Sequence, residues 1–204
     1  MSTPYERTGR TNQKARTRTA LIAAARQLLA EGVAPTVERT ADRAAVSRTT
    51  AFRYFPNQRA LLAATYPQLE AASLLGTPAP ADPLARLEAF SERFMQHTLA
   101  FEPELRAQLR LALEPGPRPP GALPLRQGRG IGWLEDALSP LRGRLPAKEL
   151  RRLVLAIRAT LGIEALIWLT DVAGVPREQA VDILRASART LLRAALADTA
   201  PPRE

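Results

Sequence analysis

Side chains that could contact nucleic acid are concentrated in one short segment, Arg48 to Tyr54. The candidates are Arg48, Thr49, Thr50, Phe52, Arg53 and Tyr54. Arginine can bind guanine through two hydrogen bonds, threonine can hydrogen-bond a base or touch a thymine methyl, and tyrosine can donate to a phosphate. The segment is therefore a candidate DNA-reading helix.

The surrounding sequence places this segment in a helix-turn-helix. A helix-forming run from Val37 to Ala44 ends in Ala45-Val46-Ser47, and a second run ends at Pro56-Asn57. Thr36, Ser47 and Asn57 are the expected N-caps of the helices that follow them. Two short helices joined by a tight turn can place the second helix in the major groove of DNA.

The segment resembles the DNA-binding domain of the TetR family of bacterial transcriptional regulators. The likeness is carried by the helix Thr17 to Glu31 ending at Gly32, then Thr36-Val37, Ala41, Ala44-Ala45-Val46-Ser47, Phe52-Arg53-Tyr54-Phe55-Pro56-Asn57 and Ala60-Leu61-Leu62. The resemblance implies that Phe52, Arg53 and Tyr54 lie beside the DNA backbone, with Tyr54 donating to a phosphate and Arg53 reaching a phosphate or a base. Thr36 is expected to contact a phosphate from the start of its helix.

Four departures from the family pattern bear on this site. Ala45 stands where glycine is usual, and alanine at a positive φ costs about 1 kcal/mol. Thr40 and Ala51 stand where large aliphatic residues are usual. Phe52 replaces a frequent tyrosine. Gln58 replaces a usual lysine, although it can still donate a hydrogen bond beside Arg59. We expect these changes to affect the strength of DNA binding rather than its existence.

The charge distribution also favours a polyanionic partner. Residues 1–60 hold 11 Lys+Arg and 4 Asp+Glu, whereas the remaining 144 residues hold 18 and 16. Arginine outnumbers lysine 27 to 2, as in proteins of GC-rich genomes, but that bias does not explain an excess confined to one end. We expect Lys14 and nearby arginines to add salt-dependent attraction to DNA.

The composition argues against a metal site, a cofactor and a membrane-spanning segment. The 204 residues include no cysteine and one histidine, His97, so no metal site and no cofactor are expected. The most apolar stretch, Leu161 to Leu169, is interrupted by Glu164, and the N-terminus is polar and basic. We therefore expect a soluble, cytoplasmic protein without a membrane partner.

The helical periodicity predicts an all-α fold with three parts. Residues 1–13 are expected to be a flexible basic arm, 14–66 a three-helix helix-turn-helix DNA-binding domain, and 67–204 a helical ligand-binding and dimerisation domain. A fourth helix is expected to reach about Leu75, and the Pro- and Gly-rich residues 114–132 are expected to form a loop. Two long helices, Ala147 to Ala173 and Pro176 to Ala197, should close the chain.

The C-terminal part is expected to hold a dimer surface and an effector site. One DNA-binding domain touches only a few base pairs, so a homodimer on a palindromic operator is expected. The candidate interface residues are Leu153, Ile157, Leu161, Leu184 and Leu191. The resemblance implies that a small-molecule effector binds in this domain, and the candidate lining residues are Phe94, His97, Trp133, Glu164 and Trp168. Both sets could instead be ordinary core.

We expect a repressor that a bound ligand releases from its operator, and three alternatives to it remain open. An enzyme would need a buried Glu164–His97 pair lining a pocket, because no phosphate loop, nucleophile elbow or metal-ligand pair is present. A basic helical protein could bind RNA or an acidic surface without reading DNA sequence. A member of the same family could activate transcription, or act constitutively without ligand control.

Overall fold

The computed structural model describes residues 4–66, 73–114 and 129–197, with side chains from residue 11 onward. Throughout these ranges the chain forms helices and turns and contains no strand, so the predicted all-α class is confirmed. The chain divides into two compact units. The first comprises Met1–Gln68 with Pro103–Arg126, and the second comprises Leu69–Glu102 with Gln127–Glu204.

The first unit is built from a long helix, three short helices and a later fifth one. These are α1 (Pro4–Ala30), α2 (Val37–Arg43), α3 (Arg48–Tyr54), α4 (Gln58–Thr65) and α6 (Glu102–Leu113), whose first residue belongs to the second unit. Helix α1 begins ten residues before the expected Lys14, so residues 4–13 are helical rather than a flexible arm. Helix α4 ends at Thr65, and residues 73–75 lie outside any helix, so the expected continuation to Leu75 is wrong there; residues 67–72 lie outside the described ranges.

Side-chain caps fix where the three short helices begin. The Thr36 hydroxyl accepts from the Arg39 N–H, the Ser47 hydroxyl from the Thr50 N–H, and the Asn57 side chain from the Ala60 N–H. Each cap satisfies a backbone donor that has no partner within the helix. The three predicted N-caps are therefore confirmed.

A small apolar core holds these helices together. Leu21, Ala25, Val37, Ala41, Ala51, Phe55 and Leu61 form one buried cluster. Leu29 and Leu62 form a second cluster, against which Ala107 and Leu111 of α6 pack, and Gln108 Nε2 donates to the Leu62 carbonyl at 3.1 Å. Helix α6 thus packs with the first unit, whereas the sequence predicts that all residues after 66 belong to the other domain.

The second unit contains a ring of four helices, each packed on two neighbours, together with a short fifth helix, α9. Its helices are α5 (Pro83–Ala100), α7 (Arg129–Ala137), α8 (Ala147–Thr160), α9 (Ile163–Ile167) and α10 (Arg177–Ala197). Helices α5 and α8 each pack on both α7 and α10. Their buried faces contribute Leu87, Phe90, Leu134, Val154, Ile157, Leu184, Ala188 and Leu192. Residues 129–132, expected to lie in a loop, instead start α7, and residues 115–128 of that expected loop lie outside the described ranges.

The expected single helix over Ala147–Ala173 is broken. Helix α8 stops at Thr160, Gly162 has a φ of 117°, and α9 is followed by a π-helical turn at Trp168–Val172. Helical periodicity does not anticipate this break, because Leu161 and Gly162 are both compatible with a buried stripe. Ala147–Val172 is long and apolar enough to cross a membrane by length and composition alone. Its buried residues Val154, Ile157 and Leu166 belong to the interior of the unit.

Candidate nucleic-acid interface

Helix α3 exposes four of the predicted contact residues on one face. Arg48, Thr49, Phe52 and Arg53 are exposed, and their spacing of i, i+1, i+4 and i+5 places them side by side. Phe52 is 39% exposed, which excludes a simple core role for that ring. Ala51 and Phe55 point the other way, into the core. The face combines two cations, a hydroxyl and an aromatic ring, a set that suits DNA bases, sugars and phosphates.

The turn before α3 is strained at one residue. Ala45 has a φ of 52°, and it is the only non-glycine residue with a positive φ in the part of the chain that the structure describes. The Val46 N–H donates to the Ala41 carbonyl at 2.9 Å, which closes the turn around this residue. The expectation that this position requires a positive φ is confirmed. The alanine therefore costs about 1 kcal/mol relative to glycine.

The Ser47 cap also orients the hydroxyl of Thr50. Ser47 Oγ donates to Thr50 Oγ1 at 2.8 Å and accepts from the Thr50 N–H at 3.3 Å. A hydroxyl carries one proton, so the Thr50 hydroxyl accepts from Ser47 and keeps its own proton for another acceptor. Thr50 is half-buried at the start of α3. Its hydroxyl can therefore donate to an acceptor there, and a second lone pair still allows it to accept.

Arg48 already has an anionic neighbour within the protein. Its Nη2 atom lies 3.4 Å from Asp42 Oδ2 on α2, and both side chains are largely exposed. An exposed pair of this kind contributes little to stability and can exchange its partner for a phosphate or a base. Asp42 therefore limits the directions in which the guanidinium extends while it is free of DNA.

Five further predicted contact residues lie on α1, α4 and the ends of α2 and α3. Tyr54 is half-buried and packs against the core cluster of the first unit. Thr36 is half-buried, and its hydroxyl accepts the capping N–H of α2. Gln58 and Arg59 are half-buried at the start of α4, whereas Lys14 is exposed on α1. Tyr54 is the last residue of α3, the other four lie outside it, and all but Lys14 are less accessible than its exposed face.

One ion pair that positions the helix-turn-helix has no sequence signal. Arg43 on α2 donates to both carboxylate oxygens of Glu31, at 2.7 and 2.8 Å. The hydrogen bond from Arg43 lowers the pKa of Glu31 below its ordinary value. The pair ties the end of α1 to α2, although a helix-surface arginine reads in sequence as a solvated side chain.

The second unit brings some of the predicted effector residues together. Phe94 is buried, stacks on Phe90 with ring centroids 5.3 Å apart, and has the Arg158 guanidinium 5.0 Å from its centroid. It also packs against α7 at Gly130, where a Cβ atom would lie 3.0 Å from the ring. Trp133 is buried one turn further along α7. Phe94 therefore lies in the α5–α7 contact, and Trp133 is buried on the α7 helix that Phe94 packs against.

His97 lies one turn beyond Phe94 on α5. It is half-buried, and its ring centroid lies 4.8 Å from that of Phe101. Burial lowers the pKa of His97 below its ordinary value, and the positive charge of Arg129 on α7 lowers it further. Both effects favour the neutral form of the imidazole over the charged form.

Two other effector candidates are not in the interior. Glu164 is exposed, and Trp168 is 59% exposed. Their apolar surroundings in the sequence suggested burial, but the break at Gly162 starts a new helix whose buried residues are Ile163 and Leu166. Glu164 and Trp168 therefore fall on its outer side, and the buried Glu164–His97 pair required by an enzyme is not formed.

Four of the five predicted dimer residues lie in the core of the protomer. Leu153, Ile157, Leu161 and Leu184 are buried within the protomer, and only Leu191 is half-buried. Periodicity identified the apolar stripe of each helix correctly, but the protomer uses most of that stripe for its own core. The exposed large apolar residues on α8, the π-helical turn and α10 are Leu155, Trp168, Val172 and Ile183.

A capped helix-turn-helix with an exposed basic second helix defines a DNA-binding domain of the helix-turn-helix class. Residues 21–65 match the family described as "Bacterial regulatory proteins, tetR family". Residues 21–65 are therefore a DNA-binding domain of the kind found in TetR-family transcriptional regulators, and the resemblance inferred from the sequence is confirmed for that segment. Such regulators are transcription factors rather than enzymes.

Beyond residues 21–65, the likeness of this chain to known proteins is weak. A solved structure, the crystal structure of a TetR-family transcriptional regulator from Streptomyces coelicolor, is 23% identical to this chain. The match covers 90% of this chain and 99% of that one, with a TM-score of 0.48. No curated protein gave a significant match. The assignment to the family therefore rests on the N-terminal match.

Proposed function

We propose that the protein is a cytoplasmic repressor that binds a palindromic operator as a homodimer and is released by a small molecule bound in its second unit. The observation that carries the proposal is the exposed face of α3, where Arg48, Thr49, Phe52 and Arg53 lie side by side on a helix with a fixed N-cap. A preorganised face of this kind suits sequence-specific reading of the major groove.

Within this face, we assign base reading to the start of α3. Arg48 and Thr49 contact base edges, and Thr50 donates its hydroxyl proton to a base or phosphate acceptor. Phe52, Arg53 and Tyr54 lie along the backbone. Arg48→Ala should relax the preference at one base position, whereas Tyr54→Ala should weaken binding to all sequences. Binding measured across a set of single-base operator variants separates the two, and an unchanged preference in Arg48→Ala would show that Arg48 does not read a base.

We propose that the dimer forms through the exposed apolar face of the last helices. Trp168 and Val172, 59% and 71% exposed, would be covered by a second copy together with Leu155, Ile183 and Leu191. An apolar patch on neighbouring helices favours a helical-bundle interface. Ile183→Asp should convert the dimer to a monomer in light scattering. Leu113→Asp, at an exposed apolar position on α6, is the matched control and should leave the dimer intact.

We place the effector between α5, α7 and α8. Phe94, Trp133 and His97 supply aromatic and neutral polar surface there, and Arg158 offers a charged group in place of the exposed Glu164. An effector that binds one dimer conformation more tightly changes the spacing of the two α3 helices and so lowers operator affinity. Phe94→Ala leaves α3 unchanged, so it should preserve DNA binding. It should weaken the loss of operator affinity that the effector causes.

The decisive experiment is the selection of genomic DNA fragments by the purified protein at about physiological salt, followed by sequencing. Recovery of a palindromic site supports a dimeric regulator, and transcription from that site with and without the protein distinguishes repression from activation. Recovery of bulk DNA alone would contradict specific reading by α3. If no cellular metabolite releases the protein from that site, the result would favour the alternative of a constitutive regulator.

A further inference from the structure

The basic residues of the second unit are most concentrated in one short stretch of its sequence. Its described residues, 73–102 and 129–197, hold 13 Lys+Arg and 11 Asp+Glu. Residues 142–152 alone account for five of those cations and only one of those anions, Glu149. Outside this short stretch the described part of the unit is therefore slightly acidic. This local excess is separate from the excess in residues 1–60.

Four of these cations are available to a partner. Arg142, Arg144, Lys148 and Arg152, called here the basic cluster, are exposed and form no ion pair among the residues that the structure describes. Arg151 differs, because it is bound to Glu135 of α7. Elsewhere in the unit, arginines with acidic neighbours are paired, as Arg185 and Arg189 are with Glu88. The basic cluster thus groups four exposed cations without an ion pair, whereas Arg93 and Arg193, which also lack one among the described residues, lie apart from it in the sequence.

The backbone beneath the basic cluster is well fixed. The Arg142 N–H donates to the Ser139 carbonyl and the Arg144 N–H to the Leu141 carbonyl, each at 3.0 Å, around the left-handed Gly143. Lys148 and Arg152 are separated by four residues on α8, so they share one face of that helix. The four cations therefore project from a rigid turn and one helix face.

We propose that the basic cluster is a second DNA-contacting surface, which binds the phosphate backbone of a duplex without reading its sequence. Charge complementarity supports a polyanion. The other large side chains of the stretch, Leu145 and Leu150, are buried and half-buried, so they cannot enter a bilayer as membrane-surface binding requires. DNA is the polyanion that this protein binds through its first unit. The surface needs neither the palindrome nor the effector proposed above.

The test uses the full-length protein carrying Arg53→Ala, which weakens the α3 contact, and a short duplex of arbitrary sequence. Binding is measured by fluorescence anisotropy over a series of salt concentrations. Residual binding should persist, and Lys148→Gln with Arg152→Gln should reduce the slope of log K against log salt by about 2, since each phosphate contact contributes about 0.9. Glu149→Gln should tighten binding.

A charge-matched control separates a local surface from net charge. Gln96→Glu with Ala100→Glu changes the net charge by the same two units at exposed positions near the end of α5. The first turn of that helix, at Arg86, bonds to residues 136–139 beside the basic cluster, so its last turn lies about 20 Å away. The control should leave the slope unchanged.

Three outcomes would overturn the proposal: equal losses in the cluster variant and the control, no residual binding in Arg53→Ala, or dependence on the cluster only for vesicles of phosphatidylserine. Thermal melting checks that the variants fold. The tighter DNA binding expected of Glu149→Gln could not result from misfolding, because misfolding would weaken binding. Recovery of a palindrome by the unmodified protein is independent of every one of these results. Failure here is therefore distinguishable from failure of the proposed function.

Discussion

Helix α3 of the first unit and helix α8 of the second use their faces in opposite ways. Helix α3 has seven residues, buries Ala51, and exposes Arg48, Thr49, Phe52 and Arg53. Helix α8 has fourteen residues and buries Leu153, Val154 and Ile157 within its own unit. A short helix that is held by its N-cap and by the buried Ala51 leaves most of its side chains exposed to a partner. A long amphipathic helix first serves the interior of its own protomer, and only the margin of its stripe remains for a second copy.

The sharpest test of this contrast in the first unit compares two phenylalanines. Phe55→Ala removes a buried ring that also lies 5.7 Å from the Arg18 guanidinium, and it should lower the free energy of unfolding by about 3–5 kcal/mol. Phe52→Ala removes an exposed ring and should cost less than about 1 kcal/mol while weakening DNA binding. Urea unfolding and operator titration measure the two effects. Similar losses of stability would show that Phe52 is a core residue.

The corresponding pair in the second unit is Ile157 and Leu155 on α8. Ile157→Ala should destabilise the protein by about 2–5 kcal/mol, because the side chain is fully buried. Leu155→Ala should leave the protomer nearly as stable, because the side chain is partly exposed, and should weaken the dimer instead. Unfolding is measured at a fixed protein concentration and dimer dissociation by dilution. If Leu155→Ala instead destabilised the protomer and Ile157→Ala weakened the dimer, the interface would lie at the residues expected from the sequence.

These pairs show what the sequence can and cannot predict. Caps at Thr36, Ser47 and Asn57 are local signals, because each depends on one side chain and an N–H three residues on, so the helix-turn-helix was predictable. The positive φ of Ala45 followed from the family pattern. The break at Gly162, the Arg43–Glu31 pair and the packing of α6 with the first unit depend on tertiary contacts. Periodicity carries no information on these, and it cannot tell the protomer core from a dimer interface.

The core behind α3 contains a hydroxyl that should reduce stability. Thr40 is buried, and its Oγ1 atom has no hydrogen-bond partner among the described residues. Thr40→Val keeps the shape and removes the unsatisfied group, so it should raise the free energy of unfolding by about 1–2 kcal/mol. Thr36→Val, which removes a capping hydroxyl, is the opposite control and should destabilise. No gain in Thr40→Val would mean that the hydroxyl is solvated.

A substitution in the turn of the helix-turn-helix should also increase the stability of the protein. Ala45→Gly relieves an alanine at a φ of 52° and should stabilise the first unit by about 1 kcal/mol, with little change in DNA affinity. Ala44→Gly, at the adjacent residue with a φ of −83°, is the matched control and should not stabilise. A lower melting temperature for Ala45→Gly would indicate that the greater flexibility of unfolded glycine outweighs the strain.

The smallest effect concerns the single histidine and distinguishes the interior of the second unit from the open face of α3. Burial lowers the pKa of His97, with a further contribution from Arg129, so the unfolded chain takes up a proton at a higher pH than the folded one. Stability is therefore full above the ordinary pKa of about 6.5 and falls as the pH drops from there toward the lowered folded value. Because the chain has one histidine, its imidazole signal in a proton NMR titration gives the folded pKa directly. Arg129→Gln should raise that pKa, and His97→Gln should remove this part of the pH dependence. A folded pKa at or above 6.5 would mean that His97 is solvated, and the α5–α7 contact would then be as open as the DNA-binding face.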